Sequence, residues 1–156
     1  MTKSAFSCVI AVACMFLVSC KIDYSMVRVA PSNAPVAHVA GGINAQNVGG
    51  AYVIAVDGVS AGMPTLGREM LVPAGSTTLT MAFWFDRWRG RNDLVHEFEE
   101  GAFYTIDVRP DFAREKVYYN FNKVSPQEFR SFLCLTQRRA QENLKSINPQ
   151  KAPACG

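Results

Sequence analysis

Histidine is nearly missing from this chain, with only His38 and His96 among 156 residues. Neither lies among carboxylates or cysteines at ligand spacing, so a zinc site or other bound metal has no basis in the sequence. No serine occupies a Gly-x-Ser-x-Gly elbow, and the pairs Gly41-Gly42 and Gly49-Gly50 do not make a phosphate loop. Serine-hydrolase and nucleotide chemistry therefore lack their motifs, and no cofactor is expected. Charge of one sign is scarce as well: 16 Lys and Arg against 13 Asp and Glu leave a formal +3, too weak a field for nucleic acid. His96 with Glu97, Glu99 and Glu100 can be drawn as an acid–base cluster. Strand alternation would put His96 and Glu97 on opposite faces, however, and a solvated acidic edge strand accounts for these residues better. The expectation is a protein that is not an enzyme.

What is present is ordinary globular composition, 49% hydrophobic and 19% charged, on a length that suits one domain plus a targeting segment. The N-terminus, MTKSAFSCVIAVACMFLVSC, has one lysine, then an apolar run from Ala5 to Val18 broken only by Ser7, then small residues before Cys20. That is the layout of an export signal. A permanent span needs about 20 predominantly apolar residues, so the run is short for one, and Lys21 and Asp23 follow at once. Removing Lys3 with residues 1–19 would lower the net charge by one.

Leu17-Val18-Ser19-Cys20 resembles the lipobox of bacterial lipoproteins. The resemblance implies cleavage before Cys20, a diacylglyceryl group on its thiol, and attachment to a membrane through acyl chains, each buried CH₂ adding about 0.8 kcal/mol of affinity. Lys21 is not the aspartate that resembles an inner-membrane retention signal, which points to the outer membrane, with the domain in the periplasm or at the cell surface. The alternative is that Cys20 is merely a third cysteine of a hydrophobic helix beside Cys8 and Cys14. With those two removed and Cys20 lipidated, Cys134 and Cys155 remain. In an oxidising compartment two thiols point to a disulfide. It would close a loop of about 21 residues and stabilise by roughly 3 kcal/mol. A buried free Cys134 with a frayed tail is the alternative.

Residues 20–50 read as a lipid-anchored tether and edge segment: short apolar stretches at Met26–Ala30 and Val36–Ala40 alternate with Pro31, Pro35 and the glycine pairs. The first stretch could also join the sheet as an edge strand. The domain proper is expected over 51–124. Ala51–Val56 runs into Asp57-Gly58, a strong hairpin signal, and Glu69–Val72 is expected to return. After Pro73-Ala74-Gly75, the stretch Thr77–Asp86 places Leu79, Met81, Phe83 and Phe85 on one face, which is strand period. Further strands are predicted at Leu94–Glu99, Phe103–Arg109 and Lys116–Val124, the last two separated by Pro110-Asp111. Several short strands with regular turns indicate a small antiparallel β-sandwich of transthyretin-like or immunoglobulin-like kind, or a barrel.

Residues 125–156 change character. Ser125-Pro126-Gln127-Glu128 is a capping box with proline at the first helical position, and Phe129, Phe132, Leu133, Thr136, Ala140 and Leu144 follow at helical spacing to about Ile147. The apolar stripe should cover one face or an open end of the sheets, leaving Arg130, Arg138, Arg139 and Lys145 to solvent.

A second resemblance covers roughly Ala51 to Val108: Ala55-Val56-Asp57-Gly58, then Val72-Pro73-Ala74-Gly75 entering a Thr-rich strand, then Glu100-Gly101-Ala102-Phe103-Tyr104-Thr105-Ile106. This order looks like the small β-sandwich modules of the PEGA type, although no Pro-Glu-Gly-Ala run occurs. The resemblance implies a fold and a cell-surface setting, not a reaction.

One stretch stands out as a candidate binding surface: Trp84, Arg87, Trp88, Arg89 and Arg91, at the end of the long strand, since exposed Trp and Arg are the usual anchors of interfaces. Its arginines would meet anionic envelope material such as lipid headgroups or glycan carboxylates. The competing reading packs Trp84 and Trp88 on the C-terminal helix and pairs the arginines with Glu97, Glu99 and Glu100 across strands. The leading expectation is a membrane-anchored envelope lipoprotein that serves as a non-enzymatic accessory or interaction module. A periplasmic binder of a small or glycan ligand is the alternative, and a cell-wall enzyme comes third. A concave pocket beside Trp88 and Arg89 would favour the binder, a flat apolar patch a protein partner.

Overall fold

The computed structural model describes residues 26–45, 49–62 and 67–144. The export segment 1–19, Cys20 and Cys155 lie outside the described residues. Ten strands precede one helix: β1 (Met26–Arg28), β2 (Val36–Ala40), β3 (Gly42–Ala45), β4 (Gly49–Val56), β5 (Val59–Ser60), β6 (Glu69–Pro73), β7 (Gly75–Phe85), β8 (Trp88–Phe98), β9 (Phe103–Asp111), β10 (Lys116–Val124) and α1 (Pro126–Leu144). They build a small, mainly β sandwich. One sheet has the order β1-β6-β2-β9-β10; the other is β3-β4-β7-β8, with β5 also paired to β4.

The alternation in β7 sets the core. Leu79, Met81 and Phe85 are fully buried and Phe83 nearly so, facing Val39, Met70, Val72, Ile106 and Val108 of the other sheet. Burying side chains of this size is the main force holding two sheets together. The Asp57-Gly58 turn forms as expected, with both residues at positive φ (47° and 77°), as a two-residue hairpin of primed type requires. Asp57 adds a side-chain acceptor for the Thr78 amide, at 2.8 Å.

Four details differ from the sequence reading. The hairpin is closed by the short β5, whereas β6 leaves for the other sheet and lies between β1 and β2. Its Met70-Leu71-Val72 run is buried throughout, the pattern of a strand covered on both faces rather than a half-exposed return. The segment taken as a tether also contributes to the body: β2 is a central strand with Ala37, Val39 and Ala40 fully buried, and β1 is the edge strand that Met26–Ala30 allowed. Because β1–β6 and β2–β9 pair in parallel, this sheet is mixed rather than purely antiparallel. Pro110 lies inside β9 instead of separating two strands. It is tolerated because β2 reaches only Phe103 and Tyr104, leaving that side of β9 without a ladder to break.

The chain changes sheets at tight corners. At Gly41 the amide donates to the Arg68 carbonyl (2.8 Å) and the carbonyl accepts from the Val53 amide (2.7 Å), so one residue bonds toward both sheets. At the β8–β9 corner the Tyr104 hydroxyl accepts from the Glu99 amide at 3.1 Å. The capping box forms reciprocally: the Ser125 amide donates to the Glu128 carboxylate (2.8 Å), and the Glu128 amide donates to the Ser125 hydroxyl (3.2 Å). These bonds hold the Glu128 carboxyl below its ordinary range. The helix lies on the mixed sheet, where Phe129 and Leu133 pack with Ala40, Phe103 and Val124. Thr136 is buried on the same stripe, and the Gln137 side-chain amide donates to the Gly67 carbonyl at 2.7 Å.

Candidate functional site

The two-residue turn Asp86-Arg87 joins β7 to β8, so the stretch read as the loop after the long strand is the start of an eleven-residue strand. Period-two alternation then divides the candidate residues between two faces. Trp84 is on the outer face, tilted against Tyr52 with ring centroids 5.6 Å apart. Trp88 is turned inward and packs edge-on against Phe83 (5.0 Å), with Phe85 and Phe112 at 6.3 and 6.1 Å. The rings these indoles meet, Tyr52, Phe83, Phe85 and Phe112, all lie outside α1, which packs on Ala40, Phe103 and Val124.

The proposed cross-strand pairing of the arginines with Glu97, Glu99 and Glu100 does not form. Arg89 and Arg91 share β8 with Glu97, and among the described residues none of these three enters a salt bridge. Glu99 pairs instead with Lys123, at 2.5 Å. Both partners are exposed, and this contact raises the lysine's pKa.

The inward side of β8 faces β10 across the sandwich. Toward the β8–β9 corner the gap is closed by rings: His96 stacks on Phe121 at 4.6 Å, and Phe98 meets Tyr104 and Phe121 edge-on. Burial among these rings lowers the His96 pKa from its ordinary value, with Glu97 opposing in the other direction. Midway, the Tyr119 hydroxyl donates to the Asn92 side-chain oxygen at 3.2 Å, and burial pushes the phenol up to about 12.

Toward the hairpin end the edges separate and leave a groove of about 440 Å³, bordered by Trp88, Arg89, Gly90, Arg91, Lys116 and Tyr118. Its depth depends on Gly90. A Cβ there would lie 2.6 Å from Cζ of Phe83, so the ring occupies the space a side chain would take. Three cations against Glu115 make the rim basic. Of the five candidate residues, Trp88, Arg89 and Arg91 border this concavity, Trp88 from the inner face of β8 and the two arginines from its outer face. Trp84 shares the outer face with its cross-strand partner Arg89 but does not border the groove, and Arg87 stays exposed in the turn. Lys116 and Tyr118, contributed by β10, were missed because the strand register that brings them opposite β8 is not legible locally.

A second pair escaped the sequence reading altogether. His38 Nδ1 lies 2.5 Å from a Glu69 carboxylate oxygen, and its ring stacks on Phe103 at 4.2 Å, beside the helix. Adjacent strands bring these residues together from 31 positions apart. With Phe103 packed in turn against Phe129, the pair steadies the sheet–helix contact. Among the described residues, no group of three or more His, Cys, Asp or Glu could hold a metal ion, and no helix is long and apolar enough to cross a membrane. Cys134 is half-buried on α1. No family model, curated protein or solved structure matches the chain.

Proposed function

We propose that this chain is an envelope lipoprotein, anchored through Cys20, whose sandwich acts as a non-enzymatic binding module for an anionic glycan. The observation that carries the reading is that Trp88, Arg89, Arg91 and Lys116 border one concave groove. A concavity favours a ligand of limited girth over a flat protein partner. Within it, the indole offers an apolar surface for a sugar ring, and guanidinium groups match carboxylates in bidentate geometry. The N-terminal lipobox resemblance and the two remaining cysteines support a life outside the cytoplasm, and the PEGA-like turn signatures support a surface setting.

The test is a titration of the purified domain with a uronic-acid oligosaccharide, a neutral oligosaccharide of equal length and phosphatidylglycerol vesicles. It is read by fluorescence in a Trp84→Phe background so that only Trp88 reports. Saturable quenching or blue shift with the uronic-acid probe alone supports the proposal. A response to vesicles alone, to the neutral sugar equally, or to none of the three overturns it.

A further inference from the structure

Among the described residues β8 is the outer strand of its sheet, and its outer edge carries a charge order that fits a second copy of itself. The β7–β8 ladder runs without a register shift from Phe85–Trp88 to Gly75–Phe98. A two-residue loop makes Phe85–Trp88 the first hydrogen-bonded pair, so the backbone groups of Arg89, Arg91, Asp93, Val95 and Glu97 point away from β7. Their side chains share the outer face and are all exposed, Val95 by 70%. Strand edges that resist pairing carry proline, a bulge or charged side chains. β8 has no proline and no bulge, and its charge is split: basic near the hairpin, acidic toward the other end.

We propose that β8 pairs antiparallel with β8 of a second copy of this chain, about a two-fold axis at Leu94, with Arg91 opposite Glu97 twice. The choice of register follows from charge. Centring on Asp93 sets that carboxylate against itself, and centring on Val95 sets Asp93 against Glu97; like charges directly opposite are destabilising. Centring on Asn92 sets Arg91 against Asp93, whose carboxylate already accepts the Thr80 hydroxyl at 2.7 Å. Centring on Leu94 gives Arg91 the otherwise unpaired Glu97, sets Asp93 beside Val95 and brings no like charges together. The pairing joins the two β3-β4-β7-β8 sheets into one and removes an exposed edge from each. It does not rest on the groove reading, although Arg89 and Arg91 border the groove as well as the paired edge.

Sedimentation velocity on the full chain in mild detergent tests this. The wild type is expected to be a dimer. R91E and E97R should each weaken association by roughly tenfold or more, because the repulsion is introduced at two symmetric positions. The double variant R91E/E97R should restore it. A monomeric wild type, a dimer indifferent to R91E, or rescue by D93R in place of E97R would overturn the proposal. Because both positions are solvent-exposed on an edge, circular dichroism of each variant should match wild type, which separates lost association from lost fold.

Discussion

Tyr119 on β10 and Asn92 on β8 meet across the mouth of the sandwich, the phenol donating to the side-chain oxygen at 3.2 Å. Asn92 also borders the groove, so this bond lies at its inner end. Tyr119→Phe should cost about 1 kcal/mol, the usual net worth of one intramolecular hydrogen bond. Absorbance titration should show the Tyr119 phenol ionising at about 12 in wild type, a component absent from the variant. The folded-state value is raised, so this contribution is complete below the phenol's ordinary pKa of 10.0 and lost as pH climbs toward 12.

The floor of the groove yields a second expectation. Gly90→Ala forces a methyl into the ring of Phe83, and overpacking of this kind costs roughly 1–3 kcal/mol. Thermal unfolding would register it as a clear drop in Tm. An unchanged Tm would mean that Phe83 is free to move and that the groove has no fixed shape.

Ligand contacts give a third. Trp88→Ala should lower affinity for the uronic-acid probe by roughly tenfold or more, as expected when a central aromatic anchor is removed. Lys116→Ala should lower it less and weaken its salt dependence. Trp84→Ala, whose ring packs on Tyr52 and does not border the groove, should leave affinity unchanged, and isothermal titration of the three variants would distinguish them.

Acid should loosen two places by the same sign of argument. Burial keeps His96 neutral in the fold while the unfolded chain protonates near 6.5, so its contribution is present above that value and falls as pH drops through the depressed folded value. Glu128, held ionised by the Ser125 capping contacts, likewise loses its contribution as pH falls through its lowered value. Ser125→Ala should cost about 1 kcal/mol at neutral pH. His96→Phe should flatten the acid limb of the stability curve, as measured by urea unfolding between neutral and mildly acid pH.

How much of this was legible in the sequence depends on how local each signal is. The Leu79–Phe85 alternation, the Asp57-Gly58 turn and the Ser125–Glu128 cap each need only neighbouring residues, and each forms as read. What escaped was set by pairing at a distance. Glu69–Pro73 is locally an adequate hairpin partner for β4, yet its fully buried centre belongs between β1 and β2. Val36–Ala40, bracketed by proline and glycine, reads as punctuation until it is seen to be wedged between β6 and β9. The same limit governs the groove: Trp88, Arg89 and Arg91 were visible as a cluster, whereas Lys116 reaches them only through the β10 register.

The claim on which the rest depends is that the sandwich works outside the cytoplasm on a lipid tether. Intact-mass analysis of the protein from its native cells tests it most directly, comparing wild type with Cys20→Ala and each with and without reductant and alkylation. The account predicts a chain that starts at Cys20 and carries diacylglyceryl mass, with Cys134 and Cys155 alkylated only after reduction. A full-length, unlipidated chain whose two thiols alkylate without reductant would contradict it.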